Sequence, residues 1–180
     1  MSTHIFLGAL VICAPLLASP RSNNYEITTD KVGGKLPNSE KIHAKIGGKG
    51  FYEKQYATII FRKNTSDDAD LTKITLQWNG PAIPPKKNPS LYLSGALFKK
   101  STDELIATHD NQVATGSWNE QNQQLTFIFK PTYPLRHITK FSIVLTVNAE
   151  LEELLQKGSF SLITDDLPDA FQTTKKTIPA

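Results

Sequence analysis

Leu125, Phe127 and Phe129 alternate with Thr126, Ile128 and Lys130, and further on Phe141, Ile143, Leu145 and Val147 alternate with Ser142, Val144, Thr146 and Asn148. A period of two is the signature of a β-strand with one apolar face. The link between the runs, Pro131-Thr-Tyr-Pro-Leu135, is short and proline-bearing, so the two read as an antiparallel pair at the centre of a sheet. Other strands must then cover that apolar face, which is what most restricts the fold.

The rest of the chain supplies them. Alternating or strand-length apolar runs fall at Tyr25–Thr29, Lys41–Ile46, Phe51–Arg62, Leu71–Trp78, Leu91–Phe98, Glu104–His109, Val113–Trp118 and Gly158–Ile163, separated by turn residues. Strands at such spacing, without long helical periodicity, predict an all-β fold: an antiparallel two-sheet β-sandwich of immunoglobulin-like architecture with about eight or nine strands. One short helix is expected near residues 149–157. Asn148 can cap it, Glu150, Glu152 and Glu153 suit its positive N-terminus, Leu151, Leu154 and Leu155 share a face, and Lys157-Gly158 stops it.

Ile5 to Ser19 carries no charge and ends in small residues before Pro20, so residues 1–19 read as a secretory signal peptide. The domain plan is then a leader at 1–19, the sandwich at 20–163, and a mobile C-terminal tail at 164–180, and the expected location is extracytoplasmic, secreted or periplasmic. Cys13 is the single cysteine and lies in that leader, which excludes an intrachain disulfide and leaves no thiol for catalysis after cleavage. Ile12 is too bulky to precede a lipidated cysteine. After the leader nothing is apolar enough to span a membrane.

A formal charge of +3 and a pI near 8.9 are too mild to imply nucleic acid. The charge is unevenly placed, however. Between Asp30 and Lys63 stand eight Lys or Arg against Asp30, Glu40 and Glu53, whereas from Lys140 onward four lysines face six acids. One end of the fold is expected to be the more cationic.

Two stretches suit binding. In the basic 31–63 region, Lys45 and Lys49 with Tyr52 and Tyr56 offer charge and rings to a carbohydrate or other polyanion. The loop Asn79–Pro89 holds four prolines, which cannot donate to a ladder and favour a stiff extended course. There Ile83, Lys86 and Lys87 form a recognition edge for a protein partner.

Other constellations are weaker. Lys31-Val-Gly-Gly-Lys and Lys45-Ile-Gly-Gly-Lys lack the Ser or Thr of a P-loop and read as turns. Asp67, Asp68 and Asp70 lack the glycine and distal glutamate of a calcium loop. Trp78, Trp118, Tyr92 and Tyr133 are candidates for a sugar-stacking platform but equally for core. His43, His109 and His137 have no metal-ligand spacing. No hydrolase, nucleotide-binding or zinc motif occurs. The expectation is therefore a non-enzymatic binding module recognising a protein partner through loops or an edge strand. The alternatives are glycan or polyanion binding and a hydrolase built on His109 or His137. No cofactor, metal or nucleic-acid partner is expected.

Overall fold

In the computed structural model the described residues are 25–31, 50–63, 68–86, 91–100, 109–163, 165–168 and 177–178. They form strands β1 (Tyr25–Lys31), β2 (Tyr52–Lys63), β3 (Asp70–Asn79), β4 (Ser94–Lys99), β5 (Gln112–Asn119), β6 (Gln124–Pro134), β7 (Ile138–Val147), β8 (Ser159–Ile163) and β9 (Thr177–Ile178), with one helix, α1 (Ala149–Leu155), between β7 and β8. The expected leader, the strand at 41–46, most of the strand at 104–109, and Lys45, Lys49 and Lys87 lie outside the described residues. Among the described residues no helix is long and apolar enough to cross a membrane.

The all-β, antiparallel character and the short helix are as expected; the two-sheet sandwich is not. All nine strands form one continuous sheet in the order β1-β2-β7-β4-β5-β6-β3-β8-β9. The sheet is strongly curled, a half-barrel whose edge strands β1 and β9 approach each other. The right-handed twist of paired strands accumulates across the sheet, and extra residues bend individual strands. Such extra residues are Tyr56 in β2, residues 129–132 of β6 opposite the single Thr72 of β3, and Val113 in β5 opposite the Leu97–Phe98 step of β4.

The pairing expected of the two most regular runs is also corrected. β6 and β7 are not neighbours, since β4 and β5 lie between them in the strand order. Their inward rings nevertheless meet: Phe129 lies 5.6 Å and Tyr133 5.0 Å from Phe141, centroid to centroid. Apolar faces this heavy can satisfy each other across an interior as well as side by side, and here they do the former. The connection Leu135–His137 therefore runs between non-adjacent strands at one end of the half-barrel rather than closing a hairpin.

One apolar cluster fills the concave side and takes residues from every strand, including Ile27, Ile59, Phe61, Ile74, Leu76, Leu97, Phe127, Phe141, Leu145, Phe160 and Ile178. β7 is buried on both faces from Phe141 to Val147. On its outer side the polar groups are partly matched, with Gln55 Nε2 donating to Ser142 Oγ at 3.1 Å.

α1 covers the end of the half-barrel where β7 finishes. Asn148 caps it, its side-chain oxygen accepting from Leu151 N at 2.8 Å, while Leu151 and Leu155 point into the core. Beyond β8, Leu167 is buried, and Ile178, with no exposed surface, pairs with Phe160 of β8. An aliphatic side chain that fills a gap at the sheet edge holds its backbone there.

Candidate anion-binding site

The two ends of the half-barrel differ in charge. At the helix end stand Glu150, Glu152 and Glu153 of α1. At the opposite end, Arg62 is the last residue but one of β2, β4 finishes with Lys99 and runs into Lys100, and β7 begins beside Arg136 with Lys140 two residues in from its start. Antiparallel pairing brings these together: Arg62 lies opposite Ile138 and Lys99 opposite Phe141, and Lys100 N donates to Lys140 O at 2.9 Å. The acids toward this end among the described residues are Glu26 of β1, opposite Arg62, Asp68 and Asp70 at the start of β3, Asp110 before β5, and Asp165 and Asp166 after β8, of which Asp166 pairs with Lys73.

The cations converge on a cleft of about 280 Å³ lined by Lys99, Lys100, Tyr133, Arg136, Ile138, Thr139 and Lys140. Its floor is held by the β6–β7 connection. Arg136 N donates to Thr139 Oγ1 at 3.0 Å, and the segment is tied to β2 by Lys63 N donating to His137 O at 2.8 Å. The His137 ring is itself fastened, its Nδ1 2.7 Å from the Lys63 carbonyl oxygen. His137 thereby anchors the connection. Tyr133 packs against Phe129 and Phe141. Burial raises its hydroxyl above the ordinary phenol range, and the nearby Arg136 charge pulls the other way. Among the described residues, no group of three or more metal-ligating side chains comes together.

Of the residues singled out in the sequence, those that are described go elsewhere. Tyr56 is 6% exposed, its ring set edge-on to Phe160 at 5.7 Å, so it is part of the core. The cause is the bulge in β2, which turns Tyr56 inward along with Ala57. Ile83 is 1% exposed, and its N–H and carbonyl both bond the Gln123 side chain, at 2.7 and 3.1 Å. Tyr52 donates to a Glu152 carboxylate oxygen. Lys86 is exposed, lying 5.5 Å from the centre of the Tyr92 ring, while its N–H donates to Glu120 Oε1 at 2.7 Å. The proline loop is thus stitched to the β5–β6 turn, and its apolar residue faces inward. Trp78 and Trp118 are core rather than platform. The cleft residues Lys99, Lys100, Arg136 and Lys140 were missed. The signal that would have found them is positional: cations at the end of one strand and the start of its antiparallel neighbour share an end of the sheet.

No protein-family model matches the chain, and no curated protein matches it. Among solved structures, the CBM32-1 and CBM32-2 domains of Clostridium perfringens ZmpB align with 73% of this chain at 15% identity and a TM-score of 0.31, and the alignment spans 38% of that chain. Similarity of that degree does not make the two folds equivalent.

Chemically, the cleft is a small hollow with cations around its rim, on segments whose backbone is held by hydrogen bonds. Guanidinium and ammonium groups from three separate segments offer charge-assisted hydrogen bonds to oxyanions. Fixing the segments by backbone bonds reduces the ordering cost when an anion binds.

Proposed function

We propose that this protein is a non-enzymatic binding module that takes a polyanionic ligand at the cationic end of its half-barrel. One observation carries the reading: Lys99 and Lys100 on one stretch and Arg136 and Lys140 on another, remote in sequence, line one cleft. Like charges gathered on a rigid frame repel one another, and an anionic partner relieves that repulsion. On this reading the polyanion site lies at the end of β4 and the start of β7 rather than in the 31–63 region. The uncharged Ile5–Ser19 segment supports export of the chain, so the ligand belongs to an extracytoplasmic setting, such as an acidic glycan.

The test is binding of the full chain to heparin and to neutral dextran across a salt series. Heparin affinity that falls steadily with salt, with no binding to dextran, is the expected outcome. The double variant Lys100→Glu/Lys140→Glu should weaken heparin binding by about tenfold or more, equivalent to about 1.4 kcal/mol. Heparin binding indistinguishable from dextran would sink the reading.

A further inference from the structure

We propose that the acidic end of the half-barrel docks against the cationic end of a second copy, so that the chain assembles head to tail. The acidic half is a groove of about 240 Å³ between α1 and the proline loop, at the far end of the half-barrel from the cation cleft. Ala82, Pro84, Leu91 and Leu154 give it apolar walls, and Glu150 and Glu153 stand on it. The one cation among the described residues that line it, Lys157, is paired with Glu153 at 3.0 Å, so acid exceeds base there. In the cleft, Arg136, Ile138 and Lys140 are alternate residues at the start of β7, and Ile138 is 44% exposed between the two cations. An aliphatic side chain flanked by positive charge and an apolar groove flanked by negative charge match in both respects, and this one chain carries both.

Neither end suits its own copy. A symmetric pair through the cleft would set Lys99, Lys100, Arg136 and Lys140 against the same four residues, and one through the groove would set Glu150 and Glu153 against theirs. Like charges juxtaposed across an interface are strongly disfavoured. The heterologous arrangement alone matches sign. It also leaves a cleft open on one copy and a groove open on the other. β7 runs its ten residues from Ile138 at the cleft to Val147 beside α1, which separates the two surfaces by about 30 Å. A heterologous contact between opposite ends does not close on itself, so the product is an open filament. The contact draws on the same cations as the polyanion site, and a neighbour and a glycan therefore compete for them.

The experiment is sedimentation velocity of the full chain over a concentration series at low and at high salt. Average mass should rise with concentration at low salt and fall to that of the monomer at high salt. Glu150→Lys/Glu153→Lys and Lys100→Glu/Lys140→Glu, each folded by circular dichroism, should each sediment as monomers. Their equimolar mixture should regain the assembly, because every reversed end then meets its opposite. Ile138→Ser, which leaves all charges in place, should weaken self-affinity by about tenfold. The Glu150→Lys/Glu153→Lys variant should keep its heparin affinity, and heparin should dissociate the unaltered assembly. A chain that stays monomeric at low salt would overturn the inference and leave the polyanion reading standing. So would an assembly that survives reversal of the groove acids, or two monomeric variants whose mixture does not assemble. Assembly without heparin binding would overturn the polyanion reading alone.

Discussion

Lys54 lies on the core-facing side of β2, opposite Leu145, yet its ammonium group pairs with Glu152 on α1. The same carboxylate accepts from the Tyr52 hydroxyl, so one acid on the helix holds two side chains at the start of β2. Charge-assisted bonds are worth roughly twice a neutral one when shielded, but here Lys54 and Glu152 are 27% and 26% exposed, which screens them. Glu152→Ala is expected to lower unfolding free energy by about 1–2 kcal/mol. Urea titration should show a lower midpoint, and Glu152→Gln, which keeps an acceptor, a smaller drop.

Gly158 is required by its neighbour. A Cβ there would lie 2.5 Å from the Trp78 ring and 2.7 Å from the Gly80 Cα, closer than side-chain carbons come. Because part of the obstacle is backbone, Gly158→Ala is expected to cost about 1–3 kcal/mol by forcing the indole to move. A changed tryptophan emission maximum together with a lower melting temperature would report it; unchanged emission would refute it.

The two tryptophans should respond differently to loss of the indole nitrogen. Trp78 Nε1 donates to Pro81 O at 2.8 Å and holds the start of the proline loop, whereas Trp118 Nε1 is buried without a hydrogen-bond partner among the described residues. Trp78→Phe therefore strands a carbonyl and opens space above Gly80 and Gly158, with an expected loss of about 2–4 kcal/mol. Trp118→Phe removes an unsatisfied donor as well as volume, and its loss should be smaller by about 1 kcal/mol or more. Paired denaturation curves decide the order.

Burial pushes the Tyr56 hydroxyl up to about 12 from its ordinary 10. The fold thus favours the neutral phenol, and this contribution is complete below pH ~10, where the unfolded chain also keeps its proton. As pH rises from about 10 to about 12 the unfolded chain ionises first, and stability should fall by up to about 2–3 kcal/mol. Tyr56→Phe should flatten that alkaline loss. An ultraviolet titration in which every tyrosine of the folded protein ionises together near pH ~10 would contradict it.

What could be read from the residues was local. The strands at Phe51–Arg62, Leu71–Trp78, Val113–Trp118 and Phe141–Val147 announce themselves by alternation, and α1 by its Asn148 cap and leucine face. What escaped was long-range. Phe129 and Phe141 carry the same pattern whether they pair across a hairpin or face each other across an interior, so the sequence near them is silent on strand order. The bulge at Tyr56 reverses the expected facing of one residue and turned a ring taken for surface into core. The cleft was hidden for the same reason: Lys99 and Lys100 read as a turn until β7 is known to lie beside β4.

Strands β1 and β9 stand at opposite edges of the strand order, separated by nearly the whole described chain, and the curl brings them into contact. During synthesis, Ile178 emerges after every other described strand, so the oily hollow stays open along one side until then. A nascent chain in that condition is a client for chaperones, and the long span between the two edges favours slow, late sealing.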